Sequence, residues 1–278
     1  MIARLYGAAI RGLLMALMIA IPALIVPGMT ADATQATVLI ALLASFLTFV
    51  EYNSISPSIV EFCDAAPFNR LRFAALFATV FMLSMICKGQ VDPTLTTKAL
   101  TSVGTIVGNS IDFPYSPVRM VVLTLPAGTD YEVVEIVRTA AGLAYLASLS
   151  VMAAFLVLVR ILGWPSRKGA FNVWVNLPMF DPTTGGDVLN RLNRDARINI
   201  ACGFLLPFAI PAVVKLAADL INPISLENPQ TLIWTMSAWA FLPASMIMRG
   251  IALQRIAEMI RDQRKRAYAT AENELQVA

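Results

Sequence analysis

Six long apolar segments, separated by short polar stretches, constrain this chain more than any other feature of its sequence. A helix needs about 20 apolar residues to cross the roughly 30 Å hydrocarbon core of a bilayer. The apolar runs and the helical patterns around them predict spans over residues 12–31, 33–50, 73–87, 130–162, 188–216 and 228–248. The expected fold class is all-α: a polytopic transmembrane helical bundle of six spans, with interfacial helices in the loops.

The composition agrees with a membrane protein. Hydrophobic residues make up 58% of the chain and charged residues 14%, whereas soluble domains carry about 25% charged residues. We therefore expect one transmembrane domain over residues 1–266, with a periplasmic or re-entrant insertion at 88–129, a cytoplasmic loop at 160–197 and a frayed tail at 267–278. The net charge of +3 is too small and too localised to indicate binding to nucleic acid.

The distribution of basic residues predicts the orientation. If the six spans are correct, 16 of the 21 Lys and Arg residues fall on one side of the membrane, and that side is normally cytoplasmic. This asymmetry predicts a bacterial inner membrane protein with both termini in the cytoplasm. The start of the chain also resembles a signal peptide, because Ala31-Asp32-Ala33 imitates a cleavage site, but its apolar stretch is long for that role.

The outer segment contains a helical pattern over residues 94–112 with little charge. Gly104 and Gly108 form a G-x-x-x-G pair in it, and such pairs let two helices approach closely. We expect an interfacial or re-entrant helix there, since a further crossing would spoil the alternation of charge. The two glycines are candidate residues for an interaction with another membrane protein.

The connection between the second and third spans also has a helical pattern. Ser56 is a candidate helix cap before Pro57, and an apolar stripe follows beside Glu61 and Asp64. The pattern predicts a short helix lying on the cytoplasmic interface, ended by Pro67. The two carboxylates are either a functional pair or, as we favour, part of its solvated face.

The cytoplasmic loop is rich in aromatic residues. Residues 171–177 alternate with period two, a pattern typical of an extended stretch or an edge that pairs with a partner. An aromatic segment lying among lipid headgroups fits equally well. Phe171, Trp174 and Phe180 are therefore candidate interaction residues, and Asp187 is a candidate N-cap for a helix that begins at Val188.

Most catalytic and metal-binding chemistries lack their usual residues. The chain has no histidine, which excludes histidine-based zinc sites, histidine-ligated haem and Ser-His-Asp triads. Its cysteines, Cys63, Cys87 and Cys202, have no metal-ligand spacing, and Gly185-Gly186 does not match a phosphate-binding loop. We expect no catalytic residue, metal or other cofactor.

A basic cluster follows the last span. Arg261, Arg264, Lys265 and Arg266 continue an amphipathic helical pattern. Each basic residue near a membrane surface contributes about 1 kcal/mol of attraction to anionic lipid. We expect these four residues to contact anionic phospholipid.

Three classes of function remain open. The favoured one is a non-enzymatic multi-pass inner-membrane protein that binds, assembles or stabilises a membrane protein complex. The alternative is a permease or channel for a small solute, favoured by Pro22, Pro207, Pro211 and Pro243 in the spans. A membrane-embedded lipid enzyme is less favoured, since it would need Glu51, Glu61 and Asp64 to act together.

Overall fold

A computed structural model describes residues 2–165, 172–180, 186–218 and 225–277. The described residues form helices and connecting turns, with no strand. The helices are α1 (Ile2–Ile25), α2 (Ala31–Asn53), α3 (Phe68–Val91), α4 (Leu95–Ile111), α5 (Pro117–Val122), α6 (Tyr131–Arg160), α7 (Val173–Asn176), α8 (Val188–Ala218) and α9 (Pro229–Val277). The expected all-α bundle is confirmed.

Six helices in the described part of the chain are long and apolar enough to cross a membrane: α1, α2, α3, α6, α8 and α9. They coincide with the six predicted spans, so the chain is a multi-pass membrane protein. The third span has 24 residues, longer than the predicted 73–87, because the helix continues past Arg72 and Lys88. Helix α9 has 49 residues and includes the tail at 267–277, which we had expected to fray.

Helices α8 and α9 pack closely because each presents a glycine to the other. A Cβ atom at Gly203 would lie 2.6 Å from the carbonyl oxygen of Pro243, and one at Gly250 would lie 2.8 Å from that of Ala196. Pro211 has no N–H to donate to the carbonyl of Pro207 one turn earlier. The indole N–H of Trp239 on α9 donates to that oxygen instead, at 3.1 Å, so a side chain satisfies a backbone group that the proline left free.

Helix α4 packs along the start of α6 through the G-x-x-x-G pair. A Cβ atom at Gly104 would lie 2.6 Å from Thr139 Cγ2, and one at Gly108 would lie 2.8 Å from the carbonyl oxygen of Arg138. Gly142 faces Gly108 so closely that its Cβ would be 2.5 Å from the Gly108 Cα. The predicted close approach therefore occurs within the chain, and the two candidate interaction glycines contact α6.

The start of α5 is tied to this pair of helices by charge. The Asp112 side chain is only 3% exposed and lies 2.7 Å from Arg119 and 2.8 Å from Arg138. Arg138 donates a hydrogen bond to Oδ2, whereas the Arg119 contact to Oδ1 is an ion pair without hydrogen-bond alignment. The arrangement fixes the insertion between α3 and α6 as a packed part of the bundle.

The interior consists of two apolar clusters, one toward each end of the bundle. The first lies between α3, α6 and α9 and includes Leu83, Ala140 and Ile233. The second lies around the ends of α3, α6 and α8 that meet the middle of α9, and includes Phe68, Phe155 and Leu253. We call the end that holds the second cluster the basic end, because Arg11, Arg72 and Arg249 also lie there.

Candidate interaction surface

The connection between α2 and α3, residues 54–67, forms turns and bends and no helix. The predicted interfacial helix is therefore wrong. The Glu51 carboxylate at the end of α2 accepts hydrogen bonds from the backbone N–H groups of Ser58, Ile59 and Val60, at 2.9 to 3.1 Å. Phe62 then has a φ of 57°, a left-handed conformation that a continuing α-helix does not allow.

Glu61 anchors this connection to the last helix. Its carboxylate accepts two hydrogen bonds from the guanidinium of Arg249, at 2.6 and 2.7 Å, and its side chain is 10% exposed. The prediction that Glu61 lies on a solvated face is therefore wrong. Glu61 and Arg249 are 188 residues apart in the sequence, so no local sequence pattern could indicate their contact. Asp64 is exposed and its backbone N–H donates to the Asn176 side chain at 3.0 Å.

The three carboxylates at this end serve separate structural roles. Glu51 holds backbone amides, Glu61 holds Arg249, and Asp64 points to solvent. Within the described ranges, no three side chains of His, Cys, Asp or Glu group in a way that could hold a metal ion.

An aromatic cluster fixes the other side of the connection. Phe62, Phe68, Phe155 and Trp164 are all buried, with ring centroids 4.4 Å apart for Phe62 and Phe68 and 5.0 Å apart for Phe155 and Trp164. The indole N–H of Trp164 donates to the Ala65 carbonyl at 3.1 Å. Aromatic packing and a buried hydrogen bond therefore hold residues 62–68 against α6.

The aromatic segment between α6 and α8 folds back onto the same connection. Residues 173–176 form the single helical turn α7, so the predicted extended stretch is wrong there. The Asn176 carbonyl accepts from the Phe62 N–H at 2.8 Å, a long-range contact that overrides the local alternation. Phe180 is 6% exposed, and its ring centroid lies 4.7 Å from the guanidinium carbon of Arg191. Phe171 and the side chain of Trp174 lie outside the described residues.

These contacts leave two large apolar side chains exposed on a well-anchored connection. Ile55 is 77% exposed and Ile59 is 67% exposed, while Pro57 between them is buried. We call Ile55 and Ile59 the basic-end surface. Met179, on the turn that follows α7, is also 76% exposed. The sequence pattern did not predict this surface, because Ile59 fitted the apolar stripe of a helix and Ile55 preceded the predicted cap at Ser56.

The thiol of Cys63 lies partly buried in the same connection. Burial raises the pKa of Cys63 to about 11, with smaller contributions from the negative charges of Asp64 and Glu51. Its sulfur donates to the Val60 carbonyl at 3.2 Å. The group is therefore a neutral thiol at physiological pH.

The basic cluster near the end of α9 is exposed, as its predicted contact with anionic lipid requires. Arg261, Arg264, Lys265 and Arg266 are all exposed. Arg264 also pairs with Asp187 at 3.0 Å, and its hydrogen bond lowers the pKa of Asp187 below the ordinary 3.8. Since the folded-state pKa is the lower one, the pair persists at neutral pH and is lost as the pH falls through that lowered value.

Two cavities lie at the other end of the bundle, among the described residues. The first has a volume of about 210 Å³ between α5, α6, α8 and α9 and is lined mainly by apolar side chains, including Leu125, Ile210, Met236 and Trp239. The second is a polar cleft of about 290 Å³ between α3, α4 and α6, with Gln90, Thr101, Thr105, Glu132, Glu135 and Thr139 in its wall. Neither was predicted, because each combines residues from several distant helices.

Comparison with known proteins gives no further guide to the site. No protein-family model, curated protein or solved structure matches this chain. The functional argument therefore depends on its own geometry.

Proposed function

We propose that this chain is a non-enzymatic multi-pass protein of a bacterial inner membrane that binds and stabilises a membrane protein complex through its basic-end surface. The observation that supports this proposal is the exposure of Ile55 and Ile59 on a connection held by Glu51, Glu61 and Trp164. A loop fixed in one conformation loses little entropy when a partner binds. Exposed apolar residues on such a loop are typical of interaction sites.

The orientation in the membrane belongs to the same proposal. The basic end carries most of the Lys and Arg residues, so the positive-inside rule favours a cytoplasmic location for it and for both termini. The partner would then present an apolar patch close to the cytoplasmic headgroups. Arg261, Arg264, Lys265 and Arg266 would contact anionic phospholipid on the same side.

Co-purification tests the proposal. The tagged full chain, extracted with a mild detergent from its native membrane, should retain a membrane protein that the Ile55→Ser/Ile59→Ser double variant loses. The matched control is Leu95→Ser, because Leu95 is 88% exposed at the start of α4, at the other end of the bundle. Equal recovery of the same partner by parent, double variant and control would contradict the role of Ile55 and Ile59.

A permease for a small polar solute is the second candidate, favoured by the polar cleft. Glu132 is exposed and Glu135 is half-buried, and both lie in the cleft wall with three threonines. Carboxylates and hydroxyls suit a cationic solute. Flux of a small organic cation into liposomes that falls in Glu132→Gln/Glu135→Gln but not in Ile55→Ser/Ile59→Ser would favour this function over the first.

A further inference from the structure

The apolar cavity lies at the end of the bundle opposite the basic-end surface. Its walls come from the loop after α5, the start of α6, the last turns of α8 and the start of α9. Met236 and Trp239 at its base are only 2% and 3% exposed. These two side chains are thus shielded from the surroundings of the bundle.

The cavity borders the surface of α8 that faces the bilayer. Val214 lines it and is still 37% exposed. The residues beside Val214, Val213 and Leu216, are 63% and 73% exposed and belong to the face of α8 that contacts lipid. A hydrocarbon chain that lies against this apolar face of α8 would therefore reach the rim of the cavity without passing through water.

The size and chemistry of the cavity suit a hydrocarbon chain. An apolar protein cavity of about 150 Å³ stays dry and binds benzene, and this one has a volume of about 210 Å³. At its rim Lys215 is exposed, and its ammonium group donates to the Leu125 carbonyl at 3.3 Å. The cavity wall also includes the exposed carboxylate of Glu227, whereas the ammonium of Lys215 lies beside Leu125. The apolar space and the cation of Lys215 fit an amphiphile with a hydrocarbon chain and an anionic headgroup.

We propose that this cavity binds one acyl chain of an anionic phospholipid, whose phosphate is met by Lys215. The chain enters beside Val214 and packs against Met236 and the indole of Trp239. This site is independent of the basic-end surface, so either can exist without the other.

Photo-cross-linking with mapping by mass spectrometry tests the site. The full chain is reconstituted in nanodiscs that contain phosphatidylglycerol with a diazirine at the end of one acyl chain. We expect adducts at Met236, which bulk lipid cannot reach, and at Leu242, which is 53% exposed on the same helix and serves as an internal reference. Labelling of Leu242 without labelling of Met236 would overturn the proposal.

A matched pair of variants identifies the path of entry. Val214→Phe narrows the cavity and should reduce the ratio of Met236 to Leu242 labelling, whereas Val213→Phe adds the same ring on the lipid side and should leave the ratio unchanged. Thermal unfolding of both variants shows that they are folded. An equal ratio in folded Val214→Phe and in the parent chain would contradict entry at this position.

The headgroup contact has its own test. In the parent chain, the phosphatidylglycerol probe should label Met236 more strongly than a phosphatidylcholine probe does. The Lys215→Gln substitution should reduce that preference about fivefold. Lys215→Arg, which keeps the charge, should retain the preference. A preference unchanged in Lys215→Gln would overturn the role assigned to Lys215.

Discussion

At the scale of single residues, Glu51 shows how one carboxylate can organise a chain reversal. The backbone N–H groups of residues 58–60 lie at the edge of the bundle, outside any helix, and unsatisfied backbone groups near hydrocarbon are costly. Glu51 is 9% exposed and accepts hydrogen bonds from all three. Its charge is compensated by these donors instead of by a basic side chain.

We expect Glu61→Gln to destabilise the folded chain by about 3 kcal/mol, because it leaves the partly buried Arg249 without a carboxylate. The measurement is thermal unfolding in a mild detergent. The control is Glu258→Gln, which removes the ion pair between Glu258 and Arg255. The Glu258 side chain is 54% exposed, so this substitution should cost less than about 1 kcal/mol. Equal losses in the two variants would contradict the structural role of Glu61.

Cys63 should react slowly with thiol reagents at neutral pH. A pKa near 11 instead of 9.0 lowers the fraction of reactive thiolate about a hundredfold. The rate of alkylation, measured in a variant with Cys87 and Cys202 replaced by Ala, should rise tenfold per pH unit up to about pH 10. Because the pKa is raised, a rate that levels off near pH 8 would show that the thiol is not buried as described.

At the scale of helices, the pairing of Trp239 with Pro207 predicts a coupling between two substitutions. Trp239→Phe removes the indole donor and should cost about 1 kcal/mol. In a Pro211→Ala background the new N–H of residue 211 can donate to the same carbonyl, so the loss caused by Trp239→Phe should shrink. Additive effects of the two substitutions on thermal unfolding would contradict this arrangement.

The contact between α4 and α6 predicts a second effect at this scale. Gly108→Ala places a Cβ 2.8 Å from a backbone oxygen of α6, so the helices must separate, at a cost of about 1 to 3 kcal/mol. Ser110→Ala, on the exposed face of α4, introduces the same residue and should have little effect. Similar thermal stability of the two variants would argue against the close approach.

Helices were more predictable than the contacts between them. The hydrophobic runs predicted six spans because crossing a bilayer imposes length and apolarity on each span separately. The connection at 54–67 was mispredicted because Glu51, Arg249 and Asn176, all outside that segment, decide its conformation. The G-x-x-x-G pair predicted a close helix contact but could not identify α6 as its partner.

At the scale of the whole molecule, the proposed orientation has a direct test. Reporters of sidedness inserted after Gly128 and fused to the C-terminus should report opposite compartments, because the basic residues concentrate at the basic end. Gly128 is suitable for an insertion, since it has a φ of +87° in a turn with no neighbouring atom within 4 Å of a Cβ. Reporters in the same compartment would overturn the arrangement of spans.

The pairing of α1 with α2 has a consequence for biogenesis. Gly12 brings α1 against Ser45 and Phe49 of α2, and most of the other large apolar side chains of α2 are exposed. These two helices precede α3 in the chain, and their contact needs no later helix. The hairpin can therefore assemble before α3 is synthesised, whereas the contacts of α3 and α6 with α9 await the synthesis of α9.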